Sequence, residues 1–149
     1  MKIAIIHGPN LNLLGLREPS VYGKKTLKSI NDALFEKSLT LGVDVEFFQS
    51  NSEGEIIDYI QLLPEREFNG MVINPAAYTH TSVAIRDAIL AVNLPFVEVH
   101  ISNIFSREEF RHSSLFSDVA MGVISGLGWR GYVYALDYIV TVLKRGEIQ

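Results

Sequence analysis

A chain of 149 residues, 48% hydrophobic and 20% charged, has the size and composition of one globular domain with a sizeable core. Its net charge of −4 excludes a sequence-wide basic footprint for nucleic acid. The absence of cysteine excludes disulfides, thiolate metal sites and cysteine nucleophiles, and suits a reducing, cytoplasmic setting. No stretch approaches the roughly 18 apolar residues of a membrane span, and residues 1–7 read as a first strand rather than a secretory signal.

Ile3 to Ile6 is a continuous apolar run, as expected of a strand covered on both faces, and Gly8-Pro9-Asn10 stops it. Residues 11–25 form a long connection punctuated by Gly15, Pro19 and Gly23, the length of a functional lid. Thr26 reads as the N-cap of a helix carrying Leu27, Ile30, Leu34 and Leu41 up to Gly42. Val43 to Phe48 is a second strand. Ser52 with Glu55 predicts a capping box for a helix through Leu63. Gly70 to Ile73 is a third strand ended by Asn74-Pro75. Thr81 or Ser82 caps a helix with Val83, Ile85, Ile89, Leu90 and Val92. Pro95 to Val99 is a fourth strand, Ser106 starts a short polar helix through Arg111, and Val119 to Ile124 is a fifth strand. Gly131 to Lys144 closes the chain as a helix, with Tyr132, Ala135, Leu136, Ile139 and Leu143 on one stripe.

Strands alternating with helices predict a parallel sheet covered on both faces, a three-layer α/β sandwich. Five short βα units favour an open flavodoxin-like sheet of order 2-1-3-4-5 over a closed barrel. With no repeat, linker or low-complexity segment, residues 1–149 form a single domain with a lid at about 11–25. Ligands of such sheets bind beyond the carboxyl ends of the strands.

The stretch Val97-Glu98-Val99-His100-Ile101-Ser102-Asn103 carries the chemistry. Alternation sends Glu98 and His100 to one face, where a carboxylate can orient an imidazole for proton transfer. Ile101 and Ser102 follow as the chain turns off the strand, where backbone N–H groups can meet an anion. Asn10 follows strand 1, and Asn74 and His80 follow strand 3, so all should share one rim. Arg17 and Tyr22 lie on the lid, and Arg107 and Arg111 follow strand 4. Such a rim suits a small, polar, anionic molecule.

The strand-1 loop has neither a G-x-G-x-x-G pattern nor a Walker loop, there is no G-x-S-x-G elbow, and His80 and His100 lack companion metal ligands. Proton chemistry without a cofactor remains. A tyrosine whose ordinary pKa is about 10 becomes a base when a cation such as Arg17 favours the phenolate. With His100 as the acid and Asn10 beside a developing oxyanion, the set suits β-elimination of water. A non-catalytic flavodoxin-like module binding a small anion or a partner, or a different lyase or isomerase on the same rim, is the competing reading. The paired base and acid are what a binding module would not need.

The motifs resemble those of a known family. Gly8-Pro9-Asn10-Leu11-Asn12-Leu13-Leu14-Gly15, Arg17-Glu18-Pro19 with Tyr22-Gly23, Asn74 through Ser82, Glu98 through Asn103, Arg107 through Arg111, and Gly126-Leu127-Gly128 with Gly131-Tyr132 are similar in order and spacing to the type II 3-dehydroquinate dehydratases. Ala76 stands where many members have glycine and His7 where many have asparagine; Phe105, Ser113 and Leu115 also depart from the common pattern.

The resemblance implies dehydration of 3-dehydroquinate to 3-dehydroshikimate through an enolate, in aromatic amino-acid biosynthesis or in quinate breakdown, with no metal or other cofactor. Tyr22 would be the base beside Arg17, His100 held by Glu98 the acid, and Asn10 a stabiliser of the enolate. Asn74, Ile101 and Ser102 would hold the substrate carboxylate, and His80 and Arg111 its ring hydroxyls. Asp87 matches a residue offered to a neighbouring site across a trimer interface, and the family's usual assembly is a dodecamer of four trimers. Neither a nucleic-acid nor a membrane partner is implied.

Overall fold

The structure, a computed structural model, describes residues 1–16 and 25–146. Five parallel strands, β1 (Lys2–His7), β2 (Asp44–Gln49), β3 (Gly70–Asn74), β4 (Phe96–His100) and β5 (Gly122–Ser125), form one sheet in the order β2-β1-β3-β4-β5. This is the flavodoxin-like order expected from the sequence. Helices α1 (Leu27–Leu41), α2 (Glu53–Leu62), α3 (Val83–Val92) and α4 (Arg130–Arg145) make the connections and close the chain.

Strand periodicity divides the sheet's apolar residues between two cores. Ile3, Ile5, Val72, Val97 and Val99 face α1 and α4, meeting Ile30, Leu34, Leu136 and Ile139. Ala4, Ile6, Met71, Ile73 and Phe96 face α2 and α3, meeting Ile56, Ile60, Ile85 and Ile89. Because both faces are covered, the central strands read as unbroken apolar runs. Among the described residues no helix is long and apolar enough to cross a membrane.

The helix starts follow their caps. The Thr26 side chain accepts from the Ser29 N–H, and that of Ser82, rather than Thr81, accepts from the Ile85 N–H. At α2 the expected capping box is rearranged. Ser52 Oγ accepts from the Glu55 N–H at 3.4 Å, but the Glu55 carboxylate takes the Ser50 hydroxyl, whose oxygen in turn accepts from the Ser52 N–H at 2.9 Å.

Two boundaries differ from the sequence reading. The predicted helix from Ser106 to Arg111 is two short 3-10 turns, Ile104–Ser106 and Glu109–Arg111. Asn103, not Ser106, caps the first by accepting from the Phe105 N–H, and Arg107 between them is extended. The fifth strand begins at Gly122 rather than Val119, because the Val119 and Ala120 N–H groups turn back onto the Phe116 carbonyl.

Candidate active site

The carboxyl ends of β1, β3 and β4 surround one pocket, lined by Asn10, Asn74, Ala76, His80, His100, Ile101, Ser102, Arg107 and Arg111 among others. The structure thus brings together most of the polar residues singled out from the sequence. Asp87 is not among them; it is exposed on α3. Arg17 and Tyr22 lie outside the described residues. Leu11 and Leu14, at the start of the predicted lid, are buried in the α1–α4 core, which anchors the segment's first turn.

Glu98 is fully buried. A carboxylate in that position is costly unless hydrogen bonds replace its hydration. His100 Nε2 lies 2.7 Å from Glu98 Oε1, the Thr79 hydroxyl donates to the same oxygen at 2.9 Å, and the Ser114 hydroxyl sits 2.8 and 3.0 Å from the two oxygens. Glu98 and His100 share the α2–α3 side of β4, as alternation requires. With Nε2 turned to the carboxylate, Nδ1 is the ring nitrogen left for the pocket. Doubly protonated, the ring offers an N–H there; neutral, it offers a lone pair.

Thr79 and Ser114 were not foreseen. Thr79 sits in the 3-10 turn Ala76–His80, and the Leu115 N–H donating to the Thr79 carbonyl at 2.8 Å ties the Ser114 segment to that turn. Their only sequence signal is a hydroxyl residue within each of two distant loops.

The turn after β4 is built to present N–H groups. The carbonyls of His100 and Ile101 accept from the Gly126 and Gly128 N–H groups at 3.2 and 3.0 Å. Planar trans peptides then direct the N–H groups of Ile101 and Ser102 the opposite way, away from β5 and toward the pocket side. Gly126 permits this contact: its φ is +87°, and a Cβ there would lie 2.9 Å from the Asn103 Cβ.

Opposite, Asn10 is in the left-handed region at φ 67°, a conformation asparagine tolerates, and its N–H donates to Asn51 Oδ1 at 2.9 Å. Asn74 is buried, with its side-chain oxygen accepting from the Ala76 N–H at 3.1 Å. His80 Nδ1 donates to the Ser113 carbonyl at 2.7 Å, which fixes the tautomer when the ring is neutral and leaves Nε2 as its other polar atom. Glu108 lies 2.9 Å from Arg111 Nε and 3.6 Å from Arg107 Nε, gathering two cations at the rim. Its carboxyl is held below the usual range by its own backbone N–H and by Arg111. No group of three or more potential ligands for a metal ion occurs among the described residues.

A buried carboxylate–imidazole pair opening on a polar pocket, at the carboxyl ends of a flavodoxin-like sheet, is the arrangement of a small-molecule enzyme. Comparison with known proteins narrows this. Residues 1–140 match the family described as dehydroquinase class II. "3-Dehydroquinate dehydratase 1" of Ralstonia nicotianae is 56% identical over 93% of this chain and 89% of its own length. The "3-dehydroquinate dehydratase" of Halothermothrix orenii is 54% identical over 98% of each chain. The crystal structure of a type II dehydroquinase from Butyrivibrio crossotus superimposes with a TM-score of 0.91, at 46% identity over 95% of this chain and 97% of that one. The chain belongs to the class II dehydroquinase family.

Proposed function

We infer that the chain is a hydro-lyase that eliminates water from 3-dehydroquinate to give 3-dehydroshikimate, a step of the shikimate pathway. The observation that carries this reading is the Glu98–His100 pair, buried and hydrogen-bonded on one side and open on the other to a pocket that Arg107 and Arg111 also line.

In this reading Tyr22, with Arg17 beside it, takes the proton from C2, and the electron pair passes to the carbonyl oxygen to form an enolate. Asn10 stabilises that charge by hydrogen bonding. Collapse of the enolate breaks the C1–O bond as His100, oriented by Glu98, protonates the departing hydroxyl to water. The proton on Tyr22 returns to His100 to complete the cycle. The Ile101 and Ser102 N–H groups and the Asn74 amide hold the substrate carboxylate, while His80 and Arg111 hold ring hydroxyls. The segment at about 11–25 acts as the lid of this single catalytic domain. Asp87, exposed away from the pocket of its own chain, serves a neighbouring subunit in a trimer, four of which make a dodecamer in the cytoplasm.

Ultraviolet absorbance after mixing the protein with 3-dehydroquinate tests the reading, because the product is a conjugated enone carboxylate and the substrate is not. A rise that survives EDTA and borohydride treatment is expected. No rise from folded protein would favour the non-catalytic anion-binding module and withdraw the roles above.

A further inference from the structure

His7 ends β1 and is the register partner of Asn74 at the end of β3, so their side chains leave the sheet on the same side. That side faces α1 and α4. His7 is fully buried, with Nδ1 2.9 Å from the Tyr132 hydroxyl of α4 and Nε2 2.9 Å from Asn31 Oδ1 of α1. Asn74 leaves β3 beside His7 on this same side, which brings its amide next to the Tyr132 hydroxyl. None of His7, Asn31 and Tyr132 lines the pocket.

For a neutral His7, one set of proton positions satisfies these contacts. Asn31 Oδ1 only accepts, so His7 Nε2 carries the hydrogen and Nδ1 is a lone pair. The Tyr132 hydroxyl then donates to Nδ1, and its oxygen is free to accept from the Asn74 amide nitrogen. The Asn74 oxygen is already occupied by the Ala76 N–H. With the Tyr132 contact made, both ends of the Asn74 amide are fixed. An amide in a pocket can otherwise flip, exchanging a donor for an acceptor. A flipped Asn74 would present oxygen, and a carboxylate would be repelled.

We propose that Asn31, His7 and Tyr132 form a buried hydrogen-bond chain that positions Asn74 with its N–H toward the pocket, making these three positioning residues for the carboxylate of the substrate. The proposal rests on the assignment of Asn74 as a carboxylate holder. Two further observations fit the chain. Burial pushes His7 down to about 4, so the ring is neutral near pH 7, as the proton order requires. Burial pushes the Tyr132 phenol up, so it keeps the proton that it donates.

The test is steady-state kinetics with 3-dehydroquinate on four variants. Tyr132→Phe deletes the hydroxyl and keeps the ring; His7→Leu deletes the acceptor. Both should raise KM by about tenfold, the worth of one hydrogen bond to a charged group, with kcat changed less than about threefold. His7→Asn places an amide oxygen where Nδ1 stood and should return KM close to wild type, which a merely structural role for the imidazole would not produce. Should Tyr132→Phe not fold, His7→Leu against His7→Asn carries the same comparison. Unchanged KM in both disruptive variants, or a loss confined to kcat, overturns the proposal. Asn74→Ala separates the two levels: if its own KM is normal, the assignment of Asn74 fails, whereas a raised KM there with normal Tyr132→Phe and His7→Leu sinks the chain alone.

Discussion

Acidification should weaken the fold through one residue, His7. Buried and neutral, it titrates near 4 in the folded protein, against an ordinary histidine value near 6.5. Between those values the unfolded chain binds a proton that the folded chain excludes, so stability falls as pH drops through this window and levels off below it. A separation of about 2.5 units corresponds to about 3 kcal/mol once the window is crossed, and to about 2 kcal/mol already lost by about pH 5. That is a large share of the stability of a domain this size. The groups hydrogen-bonded to His7 are Asn31 from α1 and Tyr132 from α4, and of these only the Tyr132 phenol titrates, far above the window. Urea unfolding of the wild type and of His7→Asn, at matched protein concentration and followed by circular dichroism, gives the comparison. The variant loses the ring's packing at every pH, which sets a constant offset. The pH-dependent part should appear only in the wild type, as a gap that closes by about 2 kcal/mol from pH 7 to pH 5. Parallel curves for the two proteins would refute the assignment of a neutral, acid-resistant His7.

Glu98→Gln should lower kcat by about a hundredfold or more with little change in KM, since it removes the carboxylate that orients the His100 ring and touches no substrate; initial rates by product absorbance read this. Tyr22→Phe should lose nearly all turnover yet still bind 3-dehydroquinate, as seen by calorimetry, and ordinary turnover in that variant would end its role as base. Ala76, at φ 52°, holds a left-handed conformation that favours glycine. Ala76→Gly should therefore stabilise the fold by up to about 1 kcal/mol after the entropy of the freer unfolded chain is set against the relieved strain, raising Tm by a few degrees.

Much of this architecture is legible in the chain because local signals agree with one another. Apolar runs at Ile3–Ile6 and Gly70–Ile73, separated by helices with serine and threonine caps, leave few arrangements other than a covered parallel sheet. The pairing of Glu98 with His100 follows from strand alternation alone. Elements whose shape depends on distant partners were less readable. Residues 106–111 have helical spacing, yet the segment breaks into two turns with Arg107 extended between them. The hydroxyls of Thr79 and Ser114 reach Glu98 across 19 and 16 residues, with no local pattern to announce them. His7 read simply as the end of a strand. Its importance comes from Asn31 and Tyr132, which arrive from two different helices. Tyr22 and Arg17 were singled out by residue type and by resemblance, and lie outside the described residues.

The two-sided sheet has a consequence for how such an enzyme changes over generations. Asn31, His7 and Tyr132 form a network on the α1–α4 side, beside Asn74, whereas His100 belongs to one on the α2–α3 side, through Glu98, Thr79 and Ser114. The two share no residue and lie on opposite faces of the sheet, meeting at the Ala76–His80 turn, whose Ala76 N–H holds Asn74 and whose Thr79 holds Glu98. Substitutions away from that turn should therefore combine additively across the two networks. On the roles inferred above, grip on the substrate and strength of the acid become separately heritable traits, each open to selection without disturbing its neighbour.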